Sequence, residues 1–296
     1  MKLTYKVIDN KYENIKQILK QEFNMSERLI LRLKTNNKIF LNDNPVSIYT
    51  CFSINDTISA TLDFEEDNSN IVPKEMDLQI IYEDEYYLVV DKPAGVTIHP
   101  SILHFDNSLS NGIRFYFDKI GLKKKIRPVN RLDKDTSGIV VFAKNEYIQE
   151  CLVKQMKQNT FEKEYVAILD GILEEKSGTI NAPIARKDNS IIERCINENG
   201  DTAITHYEVL KEFDNMSYVK FKLETGRTHQ IRVHSKYIGH PIIGDTLYGK
   251  ESNIISRQAL HSIRTCFVHP ITKQKVEYIA ELPNDFIMIL KNYNIF

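Results

Sequence analysis

Residues 138–143, Gly-Ile-Val-Val-Phe-Ala, are an apolar run far too short to span a bilayer, and they follow an Asp-Thr-Ser-Gly turn. Such a run suits a central strand buried within a sheet. Further strand-like segments fall at 162–170, 203–210, 217–224, 259–268 and 276–281. Upstream, "QIIYEDEYYLVVDKPAGV" reads as a strand, a tight acidic turn and a second strand ending in Lys-Pro-Ala-Gly. Helical spacing is rarer. "NEYIQECLVKQMKQNT" places Ile148, Leu152 and Met156 near one face, and "THQIRVHSKYIG" predicts a shorter helix. Many strands with few helices, in no regular alternation, predict an α+β domain on a mixed, largely antiparallel sheet.

The acidic, polar stretch 63–77, "DFEEDNSNIVPKEMD", contains Pro73 and reads as a linker, with a boundary near 70. It divides the chain into a small module, 1–70, and a larger domain, 71–296. The small module predicts two helices, the second capped by Ser26, then a strand, an Asn-Asp-Asn-Pro turn and another strand. Arg28, Arg32, Lys34 and Lys38 lie near the second helix. This ααβ-loop-β order resembles a small RNA-binding module first described in a ribosomal small-subunit protein, with a purely structural cap as the alternative.

At 296 residues with 42% hydrophobic content, the chain can bury a substantial core. No signal-like or membrane-spanning segment is evident, so a soluble cytoplasmic protein is expected, without membrane association. The four cysteines, Cys51, Cys151, Cys195 and Cys266, are scattered without a CxxC pair and are expected to be reduced and buried. A net charge of −1 excludes coating nucleic acid by overall charge. It conceals a basic island at 119–134 that includes Lys123, Lys124, Lys125, Arg127 and Arg131, against Asp133 alone.

Asp135 belongs to the turn before the apolar run and is expected to accept hydrogen bonds from the backbone after it. Asp133 has no such explanation. A carboxylate at the edge of a buried strand needs a cationic partner, either as a structural ion pair or as a nucleophile or base. A second polar cluster, "TGRTHQIRVH" at 225–234, supplies Arg227 and Arg232, both able to pair with carboxylate or phosphate. His229 and His234 are spaced five apart with no Glu between them in an HExxH frame, which argues against zinc. In "EKEYVAILDG", Lys163 and Tyr165 stand near a strand start, where Tyr165 could be core or could stack on a displaced base. A glycosidase using Asp133 and Asp135 would need two carboxylates facing each other across a sugar, whereas these are near neighbours on one turn. No phosphate-cradling glycine motif is present, so no nucleotide cofactor is expected.

Together these stretches resemble the RluA family of pseudouridine synthases. The matches are Arg131-Leu132-Asp133 with Thr136-Ser137-Gly138, Lys163 with Tyr165 and Ala167, and the 225–234 run, accompanied by "DKPAG" at 91–95 and "GHPIIGD" at 239–245. Asn130 departs from the family, which commonly has His there. The resemblance implies a pseudouridine synthase fold that isomerises uridine in ribosomal or transfer RNA without a cofactor, and a monomer suits a protein docking on structured RNA. It implies catalytic roles for Asp133, Tyr165 and Arg232, with Arg232 the first choice of partner for Asp133 and Arg227 the second. Arg131 would fill the gap left by a flipped nucleotide, and Arg227, Asn130, Lys163 and the island residues Lys123, Lys124, Lys125 and Arg127 would meet the RNA. The alternative is a non-catalytic RNA-binding or ribosome-assembly protein, which leaves Asp133 unexplained.

Overall fold

The computed structural model describes residues 1–101 and 105–295. Its first unit is a four-stranded antiparallel sheet with two helices: β1 (Lys2–Lys6), α1 (Ile15–Gln21), α2 (Glu27–Thr35), β2 (Ile39–Leu41), β3 (Asn44–Pro45) and β4 (Thr57–Thr61), in strand order β1-β4-β2-β3. Ser26 caps α2 through its side chain, as its position predicts. The leading strand β1, which the ααβ-loop-β reading lacks, pairs along β4 and completes the sheet.

The larger unit begins with β5 (Gln79–Glu83) and β6 (Tyr87–Lys92), joined by the acidic turn, where Asp84 accepts the amides of Tyr86 and Tyr87 at 2.7 and 2.8 Å. α3 (Leu109–Lys119), β7 (Arg127–Pro128), β8 (Ser137–Ala143), α4 (Glu146–Lys157) and β9 (Glu162–Asp170) follow. Then come β10 (Ser177–Asn181), the small hairpin β11 (Ile184–Arg186) and β12 (Arg194–Ile196), and β13 (Ile204–Phe213) with β14 (Met216–Leu223). α5 (Gln230–Tyr237), β15 (Leu260–Val268), β16 (Lys275–Ile279) and α6 (Asn284–Asn292) close the chain. The ten-stranded sheet runs β10-β13-β14-β9-β15-β8-β6-β5, with β16 on β15 and β7 on β8. Only the short β15–β8 contact is parallel, so the expected mixed, largely antiparallel sheet is what forms.

β8 is buried on both faces. Ile139 and Val141 point into one apolar cluster, Val140 and Phe142 into another under α3, which explains an apolar run without alternation. Burying each such large side chain contributes roughly 1.5–3 kcal/mol. The helix α3 was not anticipated, because Asn111 and Gly112 are poor helix formers. It forms through a Ser108–Asn111 capping box and by packing Leu109, Ile113 and Phe117 on the sheet. Gly112 is required there, since a Cβ would come within 2.9 Å of the Met76 side chain.

The 63–77 stretch carries no helix or strand but is fastened along the large sheet. Glu66 accepts two hydrogen bonds from Arg127 at 2.6 and 2.7 Å and one from Arg32 at 2.8 Å. Lys124 reaches the Phe64 carbonyl at 2.5 Å, and Lys123 stands 3.4 Å from Glu65. Much of the basic island therefore binds the linker, which corrects its reading as a free phosphate-binding surface for Arg127 and Lys124. Lys125 keeps an exposed side chain. In the small unit Arg32 is likewise taken by Glu66 and Glu146, and Lys38 by Asp63. Ser26 also binds Glu150 of α4 at 2.5 Å, and one apolar cluster runs from Ile18, Leu29 and Ile58 to Val141, Leu152 and Phe267 of the larger unit. The four cysteines are unpaired, but only Cys266 is buried, and Cys51 is exposed at the end of a loop. No helix of the described residues is long and apolar enough to cross a membrane.

Two stability measurements check these contacts. Gly138 has φ +111°, and a Cβ would lie 2.2 Å from the Ser262 carbonyl oxygen, whereas at Gly95 (φ +83°) nothing lies within 4 Å. Denaturant unfolding should show Gly138→Ala costing about 3 kcal/mol or more and Gly95→Ala about 1–2 kcal/mol, the strain alone. Burial would raise Glu66, but the hydrogen bonds and charge of Arg127, with those of Arg32, overcome it and hold the carboxyl at about 2 instead of 4.5. A lowered carboxyl stabilises the fold above its unfolded value, and that stability is lost as pH falls through the folded one. Between pH 4.5 and about 2, Glu66→Gln should therefore lose less stability than the native chain, read by acid titration of unfolding.

Candidate active site

The turn after β7 and the turn before α5 meet above the ends of β9 and β14, enclosing a cavity of about 700 Å³. Asp133, Arg131, Lys163, Tyr165, Arg227 and His229 all line it. Three separate segments of sequence thus converge on one hollow.

Arg232 organises the charges. Its Nε and Nη2 donate to the fully buried Asp245 carboxylate at 2.7 and 2.8 Å, and Nη1 donates to Asp133 Oδ2 at 3.1 Å. Asp245 is itself oriented by the amides of Leu247 and Tyr248, each 3.1 Å from Oδ1. The bidentate pair leaves Arg232 one free edge, and that edge faces Asp133. Arg227, the second choice of partner, lies elsewhere: its Nε donates to the Thr202 carbonyl at 2.9 Å, with Asp201 3.7 Å from Nη1.

His229 takes a left-handed conformation, φ 58°, immediately before α5, which turns its ring toward the cavity. Nε2 lies 3.8 Å from Asp133 Oδ1 and Nδ1 lies 2.8 Å from the Tyr248 hydroxyl. That hydroxyl accepts the Arg194 amide at 2.8 Å, so its own proton is free for Nδ1, leaving Nε2–H toward Asp133. Burial lowers His229 below its ordinary value despite the opposing Asp133 charge, which keeps the ring neutral at pH 7. His234 diverges entirely, bonding Thr205 and the Ala182 carbonyl in the core.

Tyr165 is 6% exposed and sits on β9 beside Asp133 in the cavity wall. Burial, with a smaller push from the Asp133 charge, raises its hydroxyl to about 12, so it is a neutral phenol at pH 7. Burial alone lowers the Lys163 ammonium, which makes no hydrogen bond or ion pair among the described residues. Arg131 is exposed at the cavity mouth.

Asn130 lines the cavity, yet its side chain serves the backbone: Nδ2 donates to the Ile139 carbonyl and Oδ1 accepts the Val141 amide, both at 2.9 Å. That corrects its placement among RNA contacts, since its amide is occupied in holding the loop to β8. Asp135 also departs from expectation. The turn is closed by the Thr136 amide on the Asp133 carbonyl at 3.2 Å, and the Asp135 carboxylate acts on buried Lys92 instead. Lys92 Nζ donates to the carbonyls of Pro93, Val96 and Lys134, each at 2.8 Å, tying the "DKPAG" loop to the residue after Asp133. Gln230 likewise secures the other wall, accepting from the Thr225 hydroxyl and the Arg227 amide at 2.9 Å each. Among the described residues no cluster of three or more His, Cys, Asp or Glu could hold a metal ion.

Asp245 and Lys92 are the working residues that motif reading passed over. Their signal was charge balance, since a buried Arg facing two directions needs two carboxylates and a buried Lys needs several acceptors.

Asp133, held by the buried Arg232 guanidinium, shares its cavity wall with the Tyr165 ring, an arrangement able to act on a flat, ring-bearing substrate. Residues 86–237 match the family model described as RNA pseudouridylate synthase. An uncharacterized RNA pseudouridine synthase, YjbO of Bacillus subtilis, is 37% identical over 92% of this chain and 97% of its own. Ribosomal large subunit pseudouridine synthase D of Pseudomonas aeruginosa is 36% identical over 76% of this chain and 75% of its own. The structure of human RNA pseudouridylate synthase domain containing 1 aligns with TM-score 0.60 and 30% identity, covering 70% of this chain and 84% of that one. The chain belongs to the RluA family of RNA pseudouridine synthases.

Removing the buried carboxylate should separate its role from simple packing. Asp245→Asn should leave Arg232 half-held, costing about 3–5 kcal/mol in denaturant unfolding, as for one partner of a buried ion pair. In RNA turnover kcat should fall while KM changes little.

Proposed function

We propose that Asp133 carries out the isomerisation on a uridine flipped from structured RNA. Ribosomal large-subunit RNA is the first substrate to examine, because relatives bear that assignment in their names. Transfer RNA is the second. The observation that carries the reading is the 3.1 Å contact with Arg232 that fixes Asp133 in the wall of a cavity large enough for a nucleoside.

In the first stage the bond between the anomeric carbon and uracil N1 breaks, its electron pair leaving with the base. Asp133 acts on the ribose, either by attack on the anomeric carbon or by taking the 2′ proton to leave a glycal. The detached uracil turns against the Tyr165 ring, and a bond forms from its C5 to the anomeric carbon. As that bond forms, the sugar–carboxylate bond breaks and frees Asp133, or the glycal takes its 2′ proton back from Asp133; the C5 proton is then lost and N1 gains one, so the product is an isomer of the substrate. A phenol that titrates near 12 is a stacking face rather than a resting base, which limits what Tyr165 contributes to the last proton transfer. Arg131 at the cavity mouth is placed to fill the stack that the uridine leaves, offsetting an unstacking cost of a few kcal/mol. Lys163 offers a cation to the uridine's own phosphate or carbonyl.

Pseudouridine mapped at single-nucleotide resolution in total RNA, with and without the purified protein, should show one or a few new sites. Asp133→Asn should keep the fold by circular dichroism and produce none. A folded Asp133→Asn that still makes pseudouridine would remove Asp133 from the chemistry.

A further inference from the structure

A second hollow of about 440 Å³ opens beside the first and shares its Gly226 and Arg227 wall. Its walls carry Arg131, Arg186, Arg194 and Arg227 against a single carboxylate, Asp201. Among the described residues Arg131, Arg186 and Arg194 have no carboxylate partner, and Arg227 reaches Asp201 only at 3.7 Å. Arg194 instead donates to the Ile192 and Glu193 carbonyls of its own hairpin at 3.2 and 3.1 Å.

Arg186 and Arg194 are also direct cross-strand partners in the β11–β12 hairpin. Like charges placed opposite each other destabilise a strand pair, and this pair forms a sheet of two strands only. An anion seated between them would offset the repulsion. Gly200 lets the facing turn come close, since a Cβ there would meet the Ile184 carbonyl carbon at 2.5 Å. Beyond the arginines the hairpin tip exposes Ile191 and Ile192, 86% and 64% accessible, an apolar edge suited to an unstacked base.

We propose that the β11–β12 hairpin grips the phosphodiester strand flanking the target uridine, with Arg186 and Arg194 each on a phosphate. The inference rests on reading the Asp133 cavity as the uridine pocket, since the flanking strand must leave that cavity past Gly226. A free phosphate or an acidic peptide would satisfy the arginines but not the apolar tip. RNA satisfies both.

The probe is a fluorescein-labelled 12-nucleotide uridine RNA, bound to Asp133→Asn protein across a salt series and followed by anisotropy. With Arg186→Ala and Arg194→Ala added, the slope of log affinity against log salt should shrink by about 1.4, from about 0.7 for each single-strand phosphate contact. Arg186→Lys with Arg194→Lys should keep most of the slope, and Ile191→Ser with Ile192→Ser should weaken binding without altering it. On mapped RNA, in the Asp133 background, the alanine pair should raise KM about tenfold with kcat within about twofold. The melting temperature of the alanine pair should not fall, because a repulsion has been removed. An unchanged slope overturns the proposal, as does a lost kcat with an unchanged KM. Because the anisotropy series reads binding and not turnover, its result is independent of whether Asp133 proves to be the catalytic group.

Discussion

Everything in the site depends on one guanidinium with three usable edges. Asp245 holds Arg232 bidentately through Nε and Nη2, and Nη1 fixes where the Asp133 carboxylate can sit. A lone Arg–Asp pair could swing and would be exposed to competition from water. The buried acid behind the arginine removes that freedom and turns a flexible side chain into a fixed donor. The cost of burying these charges is met because each polar atom on the inner side has a partner, down to the Leu247 and Tyr248 amides behind Asp245.

The loop that carries Asp133 is constrained just as closely by neutral and backbone contacts. Lys92 binds the carbonyl next to it, Asn130 bridges two β8 residues, and Gly138 allows β8 to pass close to Ser262 of β15. Arg257, itself paired with Asp285, donates to the Asp135 carbonyl at 3.1 Å. The accompanying "DKPAG" and "GHPIIGD" segments therefore have physical work to do, one as a clamp on the Asp133 loop and the other as the source of Asp245.

Much of this was legible in the sequence, for reasons that can be named. β8 stood out because burial on two faces leaves no alternation, and Asp133 because nothing local explained it. Arg232 was reachable as its partner because both lie in short polar clusters at strand ends. The missing parts share a different character. α3 has a weak helical sequence rescued by packing, and β1 is stabilised by partners on β4 more than fifty positions away. The basic island looked free along the chain, yet Arg127 finds Glu66 at a separation of 61 residues. Asn130 was misread in the same way, since an amide that binds a strand across the fold looks like any loop amide in sequence. The Arg186–Arg194 opposition depends on hairpin register, which the intervening Lys-Asp-Asn-Ser-Ile-Ile-Glu stretch does not reveal.

The apolar cluster that continues from the first helices into the large sheet carries a further consequence. A chain with two separable cores could lose its first unit and survive as a working remainder. Here the inner face of β8 is covered in part by residues before position 62, so the strand that follows the Asp133 loop loses its cover when that unit unravels. Damage at the front of the molecule therefore reaches the loop that holds Asp133, and the two units stand or fall together.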